Sequence, residues 1–287
     1  MKSERLTAEI LNLSYTIESG QPLTFYGDYR NGSDQITYPV GGALVTARFA
    51  HMGDKVVIDA RSSNGKSVKD EITSRFRLND DIQTMYESIS TDKKISAAIR
   101  QFRGMRVTKN EPWETSVCFI ISQFNNLKRI RGIIKNMMER FGDPICSFDE
   151  ETRYSFPSAE ALSNARIEDI MRCGAGFRAK YIKSAAKYCT ENLDLESISK
   201  LEYADLKEEL MRIDGVGDKV ADCIALMGYG KMEAFPVDVW VKRSMEKMYF
   251  KGKKKGVKDI HAYASGKWGE MAGFAQQYIF WYGRSNF

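Results

Sequence analysis

The chain has 287 residues, 43% of them hydrophobic and 28% charged, with a formal net charge of +5. That balance belongs to a soluble globular protein of one large or two modest domains, and no apolar run approaches the roughly 18 residues a membrane span needs. The opening stretch MKSERLTAEI lacks the apolar segment of a signal peptide, so a cytoplasmic location is expected.

Residues 8–60 alternate short β-rich runs, LTFYGDYR, QITYPV, ALVTARFA and KVVIDA, with turn signals NGS, GG and MGD between them. This pattern predicts an antiparallel sheet. From about residue 80 the apolar period becomes helical, with helices expected over 81–90, 93–102, 113–124, 126–142, 158–165, 167–173, 178–192, 202–213, 218–229, 237–249 and 269–283. No low-complexity linker and no repeat period separates the two regions. The expectation is an α+β protein: an N-terminal antiparallel β-sheet domain with trailing helices over 1–105, packed against a larger all-α domain over 106–287.

Cys118, Cys146, Cys173, Cys189 and Cys223 are scattered, odd in number and without C-x-x-C or zinc spacing, which reads as reduced, mostly buried thiols. His51 and His261 are the only histidines and read as surface or turn residues, so no metal site is expected. Lys251, Lys253, Lys254, Lys255 and Lys258 cluster among glycines in FKGKKKGVKD, either as a solvated loop or as a DNA contact.

The chemistry concentrates in IDGVGDKVADCIALMGYGKMEAFPVDVWVKR, residues 213–243. A helix, a DGVG turn and a second helix make a helix-hairpin-helix unit. Gly215, Val216 and Gly217 lead into that second helix, whose N-terminal amides suit an anion such as a DNA phosphate; a plain helix-helix turn is the other reading. Lys219 stands in the first turn, at the positive end of the helix dipole, where local electrostatics prefer an acid. It is either a solvated lysine or a nucleophilic amine able to form a Schiff base with a sugar C1′. Asp238 occupies a helix N-cap position, and capping does not prevent its carboxylate from also stabilising positive charge on an opening ribose.

In these motifs the chain resembles the helix-hairpin-helix DNA glycosylases with a Gly/Pro-rich loop and a catalytic aspartate, and among them the 8-oxoguanine DNA glycosylases. GVGDKVADCIALM followed by PVDV carries the hairpin, lysine and aspartate pattern, while EPWETSVCFIISQFNNLKRIRGIIKNMMERFG, CGAGFRAKYI, SGQPLTF and AGFAQQYIF resemble further family segments. The resemblance implies base flipping, attack by Lys219 on C1′, Asp238 assisting departure of the base, and β-elimination at the abasic site. It makes Gly20 the carbonyl that recognises N7–H of 8-oxoguanine, Gln276 the hydrogen-bond partner of the base edge, and Phe280 and Cys223 the groups on its two faces. Asn125, Asn126, Arg129, Phe177 and Arg178 are implied to fill the gap and read the orphaned cytosine.

Outside the resemblance, Phe177 and Phe280 read as core, Arg129 and Arg178 as solvated charges and Cys223 as a filler thiol. The chain departs from the family in carrying Phe124 where asparagine is common, Phe177 where tyrosine is common and Trp240 where histidine is common. No cysteine follows Cys223, so the iron–sulfur branch of the superfamily does not apply. The function implied is a bifunctional glycosylase and AP lyase, acting as a monomer on double-stranded DNA containing 8-oxoguanine paired with cytosine. It would use no cofactor and no membrane, and would be nucleoid-associated in a prokaryote. The alternatives are a glycosylase for another damaged base on this scaffold and a non-enzymatic helix-hairpin-helix DNA-binding module.

Overall fold

The computed structural model describes residues 3–21, 24–26, 34–53, 55–145 and 151–287. Cys146, the turn expected at 31–33, and most of the strand expected over 23–30 lie outside them. The chain opens with strand β1 (Glu4–Glu9) and helix α1 (Leu13–Glu18), then strands β2 (Gln35–Val40), β3 (Ala43–Met52) and β4 (Lys55–Ser62). Among the described residues these strands form an antiparallel sheet in the order β1-β4-β3-β2, with Tyr26 bridging Thr37 at its edge. Gly41 and Gly42, both at positive φ, close the two-residue hairpin between the paired Val40 and Ala43, as the GG signal predicts.

Alternation gives the sheet one apolar face. Leu6, Ile36, Tyr38, Ala47, Phe49, Val56 and Ile58 all turn into one core. Helix α2 (Lys69–Arg75) and the residue after it cover that face with Ile72 and Phe76, the Phe76 ring standing edge-on to Phe49 at 5.5 Å. Helices α3 (Ile82–Ile89) and α4 (Lys93–Gln101) begin at the aspartate caps Asp81 and Asp92. Their apolar faces belong to the second, larger core.

That core is helical: α5 (Pro112–Ser122), α6 (Leu127–Phe141), the short pair β5 (Pro144–Ile145) and β6 (Arg153–Tyr154), α7 (Ala159–Asn164), α8 (Ile167–Ile170), α9 (Ala179–Glu191), α10 (Tyr203–Met211), α11 (Asp218–Gly228), α12 (Val239–Tyr249), α13 (Val257–Trp268) and α14 (Ala272–Asn286). The α+β architecture is as expected. Among the elements that escaped the sequence reading are β1, whose Leu6 and Ala8 alternate within a charged stretch; α1, capped by Asn12; α2; the short pair β5 and β6; and α13, which starts directly behind the lysine run.

Buried polar ties cross the seam between the two cores. Gly104, at φ +92, lies so close to Asn12 that a Cβ would stand 2.8 Å from the Asn12 nitrogen, and its carbonyl accepts that amide at 2.7 Å. Gln21 donates to the Arg106 carbonyl at 2.8 Å and accepts from the Thr108 amide at 3.0 Å. The buried Arg106 guanidinium donates to the carbonyls of Arg77 and Glu9 at 2.6 and 2.7 Å. These bonds hold the end of α1, and Gly20 with it, against the helical core.

Helix α14 meets the connection between α11 and α12 without an intervening side chain. The Gly273 amide donates to the Met232 carbonyl at 2.6 Å, and a Cβ there would lie 2.5 Å from the Ala234 oxygen and 2.6 Å from Leu226 Cδ1. Gly273→Ala would gain about 1 kcal/mol of helix propensity, but it forces backbone apart, at a cost of about 1–3 kcal/mol or more. Denaturant unfolding should therefore show a net loss of stability; an unchanged or raised midpoint would mean that α14 slides without cost.

Candidate active site

A cavity of about 340 Å³ opens where α5, α6, α11, α12, α14 and the end of α1 converge. Its walls include Gly20, Asn125, Asn126, Lys219, Cys223, Asp238, Gln276 and Phe280, which the sequence places in segments up to 260 residues apart. Lys219 lies in the first turn of α11 with Nζ 5.2 Å from the centre of the Phe119 ring. Cys223 follows one turn later on the same face. Burial pushes its thiol up to about 11, against the pull of Lys219 beside it.

Asp238 is the N-cap of α12, its Oδ1 accepting the Val241 amide at 2.7 Å. One carboxylate oxygen is thereby fixed and the other is left for the cavity. Gln276, buried on α14, donates through Nε2 to the Pro236 carbonyl at 3.1 Å, while its Oε1 is buried without a protein partner among the described residues. Its neighbour Gln277 reaches the Ser19 carbonyl at 3.2 Å, which docks the Gly20 turn onto α14. Gly20 stands at φ +83 and presents only backbone to the cavity.

The hairpin lies beside this cavity. Gly215 stands at φ +85, packed so tightly on Tyr181 that a Cβ would approach its Cβ to 2.7 Å. Gly217 has an ordinary φ of −93 and serves as a bare N-cap, with open space where a Cβ would stand. Val216 is buried, and its amide is donated to the Ile213 carbonyl at 2.9 Å. The first-turn amides of α11 receive no side-chain cap, which suits them to an anion.

Arg129 is exposed on α6, and Phe177 is 53% exposed. Arg178 corrects the reading of a solvated arginine. It is 3% exposed, and its guanidinium donates to the carbonyls of Gln123 and Phe124. His261 is corrected as well: it sits half-buried on α13 with Nε2 3.6 Å from Asp222 Oδ2. The lysine-rich turn follows the C-terminus of α12, the end of that helix opposite Asp238, and Glu246 accepts the Lys255 amide at 2.9 Å. Cys118, Cys173 and Cys223 are buried free thiols and Cys189 is partly buried.

Sequence reasoning missed Phe119 and Arg284 on the cavity wall. Phe119 sits in a continuous apolar run and carries no signal of its own. Arg284 falls one helical turn beyond Phe280 and two beyond Gln276, a spacing that marks the shared face.

Behind the cavity wall, Asp222 is fully buried; its Oδ1 accepts from the Tyr203 hydroxyl at 2.5 Å and pairs with Lys207 Nζ at 2.8 Å, and Lys207 is also 2.8 Å from Asp218. Burial pushes the Asp222 carboxyl up, opposed by Lys207 and Tyr203. Asp218, Asp222 and His261 bring three potential metal donors within 4.8 Å of one another. The Lys207 ammonium already occupies the position between the two carboxylates, so the group acts as an ion network joining α10 to α11.

This chain belongs to the HhH-GPD superfamily of base excision DNA repair proteins, whose family pattern matches residues 117–270. Residues 5–115 match the N-terminal domain of 8-oxoguanine DNA glycosylase. A probable N-glycosylase/DNA lyase of Methanothermobacter thermautotrophicus is 32% identical over 75% of this chain and 74% of its own. The structure of MBOgg1 in complex with a low affinity DNA ligand superposes with a TM-score of 0.88 at 33% identity, covering 99% of both chains. Clostridium acetobutylicum 8-oxoguanine glycosylase/lyase, solved with double-stranded DNA containing cytosine opposite 8-oxoG, gives 0.87 at 30% identity over 100% of this chain and 98% of that one.

Removing one member of a buried ion network leaves the others uncompensated. Lys207→Met should cost about 3–5 kcal/mol by denaturant unfolding. A loss below about 1 kcal/mol, the scale of exposed pairs, would show that Asp222 is held by other means.

Proposed function

We propose that this protein excises 8-oxoguanine paired with cytosine from double-stranded DNA and then nicks the strand at the abasic site. The observation that carries the reading is the meeting of Lys219 and Asp238 in one cavity with Gly20, Gln276 and Phe280, in a chain whose two halves match a base excision repair family and an 8-oxoguanine glycosylase domain. No helix among the described residues is long and apolar enough to cross a membrane. The place of action is wherever the DNA lies, the cytoplasmic nucleoid in a prokaryote.

The chemistry follows from the positions of the groups. DNA phosphates meet the uncapped amides of α11, and the flipped nucleotide enters the cavity. Phe280 and Cys223 face the base, and Gln276 Oε1 accepts from the donor edge of a guanine-type base. The Gly20 carbonyl accepts the N7–H that guanine lacks.

Lys219, as the free amine, gives its lone pair to C1′ while the bond from C1′ to the base breaks and the base leaves with that electron pair. Asp238 opposes the positive charge that grows on the sugar, with one oxygen anchored by the Val241 amide so that the other need not reorient. Loss of the amine proton and opening of the ring give an iminium. Removal of a C2′ proton then expels the 3′ phosphate, and hydrolysis returns Lys219. Arg129, exposed on α6, is the residue we assign to the partner strand.

Lys219→Gln should abolish both base release and nicking of a duplex carrying one 8-oxoguanine, and should prevent borohydride from cross-linking protein to DNA. Retained nicking would overturn Lys219 as the nucleophile. Asp238→Asn keeps a capping oxygen, so its stability should change by less than about 1 kcal/mol. Its single-turnover excision should fall by about a hundredfold or more through loss of the charge; near-normal turnover would leave Asp238 only a cap.

A further inference from the structure

Arg284 lines the mouth of the cavity. Along α14 the wall grades from floor to solvent: Gln276 is buried, Phe280 half-buried and Arg284 exposed. The helix rises about 12 Å between Gln276 and Arg284. A nucleotide whose base edge meets Gln276 runs the same way, outward through its ribose to the phosphates that flank it.

Close packing of two helices sets the place of Arg284. A Cβ on Gly283 would stand 2.9 Å from Ser244 Cβ, so α14 abuts α12 one residue before the arginine. Ser244 Oγ in turn donates to the Trp240 carbonyl at 2.7 Å. Trp240 and Arg284 thereby border one mouth, together with Asp238.

A basic residue in the last turn of a helix is favoured by the helix dipole, but the dipole does not aim it at a cavity. Arg284 forms no ion pair with a carboxylate among the described residues, Asp238 included. Its guanidinium lies 5.7 Å from the centre of the Trp281 ring, which supports it from one side. Position 240 supplies no charge at this rim, because the chain has tryptophan where histidine is common in the family. The mouth of the cavity therefore holds one cation with its hydrogen-bond donors uncommitted to any carboxylate.

We propose that Arg284 grips a phosphate flanking the flipped nucleotide and so fixes how deep the base sits in the cavity. The proposal rests on the reading of this site as a base-flipping glycosylase. Guanidinium and phosphate form charge-assisted hydrogen bonds, and the planar fork of arginine meets two phosphate oxygens at once. The contact carries no base information, so it acts on binding of the lesion strand whatever base stands opposite.

The test is single-turnover excision from an 8-oxoguanine duplex over a range of enzyme concentrations, which separates the half-saturating concentration from the maximal rate. Arg284→Ala should raise the half-saturating concentration about ten- to a hundredfold, the scale of a hydrogen bond to a charged group. It should also lower the slope of the salt dependence by about one. Arg284→Lys, which keeps the charge, should recover the slope and part of the affinity. Replacing one flanking phosphate by a neutral methylphosphonate should weaken the wild type by a similar factor and leave Arg284→Ala little changed at that same position.

An unchanged half-saturating concentration in Arg284→Ala overturns the grip, as does a loss with the salt slope intact. Full sensitivity of Arg284→Ala to methylphosphonate at both flanking positions overturns it as well. A wild-type protein that excises nothing would instead sink the functional reading on which the proposal rests.

Discussion

The cavity exists because α14 lies directly against the chain between α11 and α12. At Gly273 that approach leaves no room for a methyl group, and the amide there is spent on the Met232 carbonyl. Everything downstream on α14 inherits its position from this contact. One turn on, Gln276 reaches the Pro236 carbonyl, and a further turn brings Phe280 to the wall facing Lys219 and Asp238. Gln276 and Phe280 on one side of the cavity and Lys219 and Asp238 on the other are thus registered to each other by backbone, which side-chain rotamer changes cannot disturb.

The second helix of the hairpin is gripped on its opposite side. Lys207, Tyr203, Asp218 and Asp222 tie α10 to α11, and the tie fixes the rotation of α11 about its own axis. Residues 219 and 223 then face the cavity while 218 and 222 face the ion network. Cavity-lining and ion-paired residues alternate along one helix because a 3.6-residue period gives it two usable faces. The N-terminal sheet contributes through a longer route: the seam at Gly104, Gln21 and Arg106 holds the end of α1 where Gly20 can border the cavity.

Much of this was legible in the residues. Period-2 and period-3.6 patterns marked the sheet and most helices, and the hairpin, the lysine and the capping aspartate fall within 26 positions that short-range rules can read. What escaped depended on contacts distant in sequence. Strand β1 is apolar only at Leu6 and Ala8, and pairing with β4 makes it a strand. Arg178 looked like a surface charge because nothing local reveals that the carbonyls of Gln123 and Phe124 arrive above it. His261 faces the buried Asp222 only because α13 packs behind α11. Val216 and Gly217 show the same limit at short range: composition indicates a turn, while which amide faces outward is decided by the Ile213 carbonyl.

The buried thiol of Cys223 has a consequence for endurance. Burial pushes the thiol up to about 11, so the sulfur stays protonated at neutral pH. Peroxides consume thiolates and spare thiols. The base this pocket is proposed to accept is itself a product of oxidation, so demand for the enzyme peaks when oxidants are abundant. A soft, polarisable thiol on the wall of that proposed pocket, protected from those oxidants by burial, would keep its shape through the insult that creates the substrate.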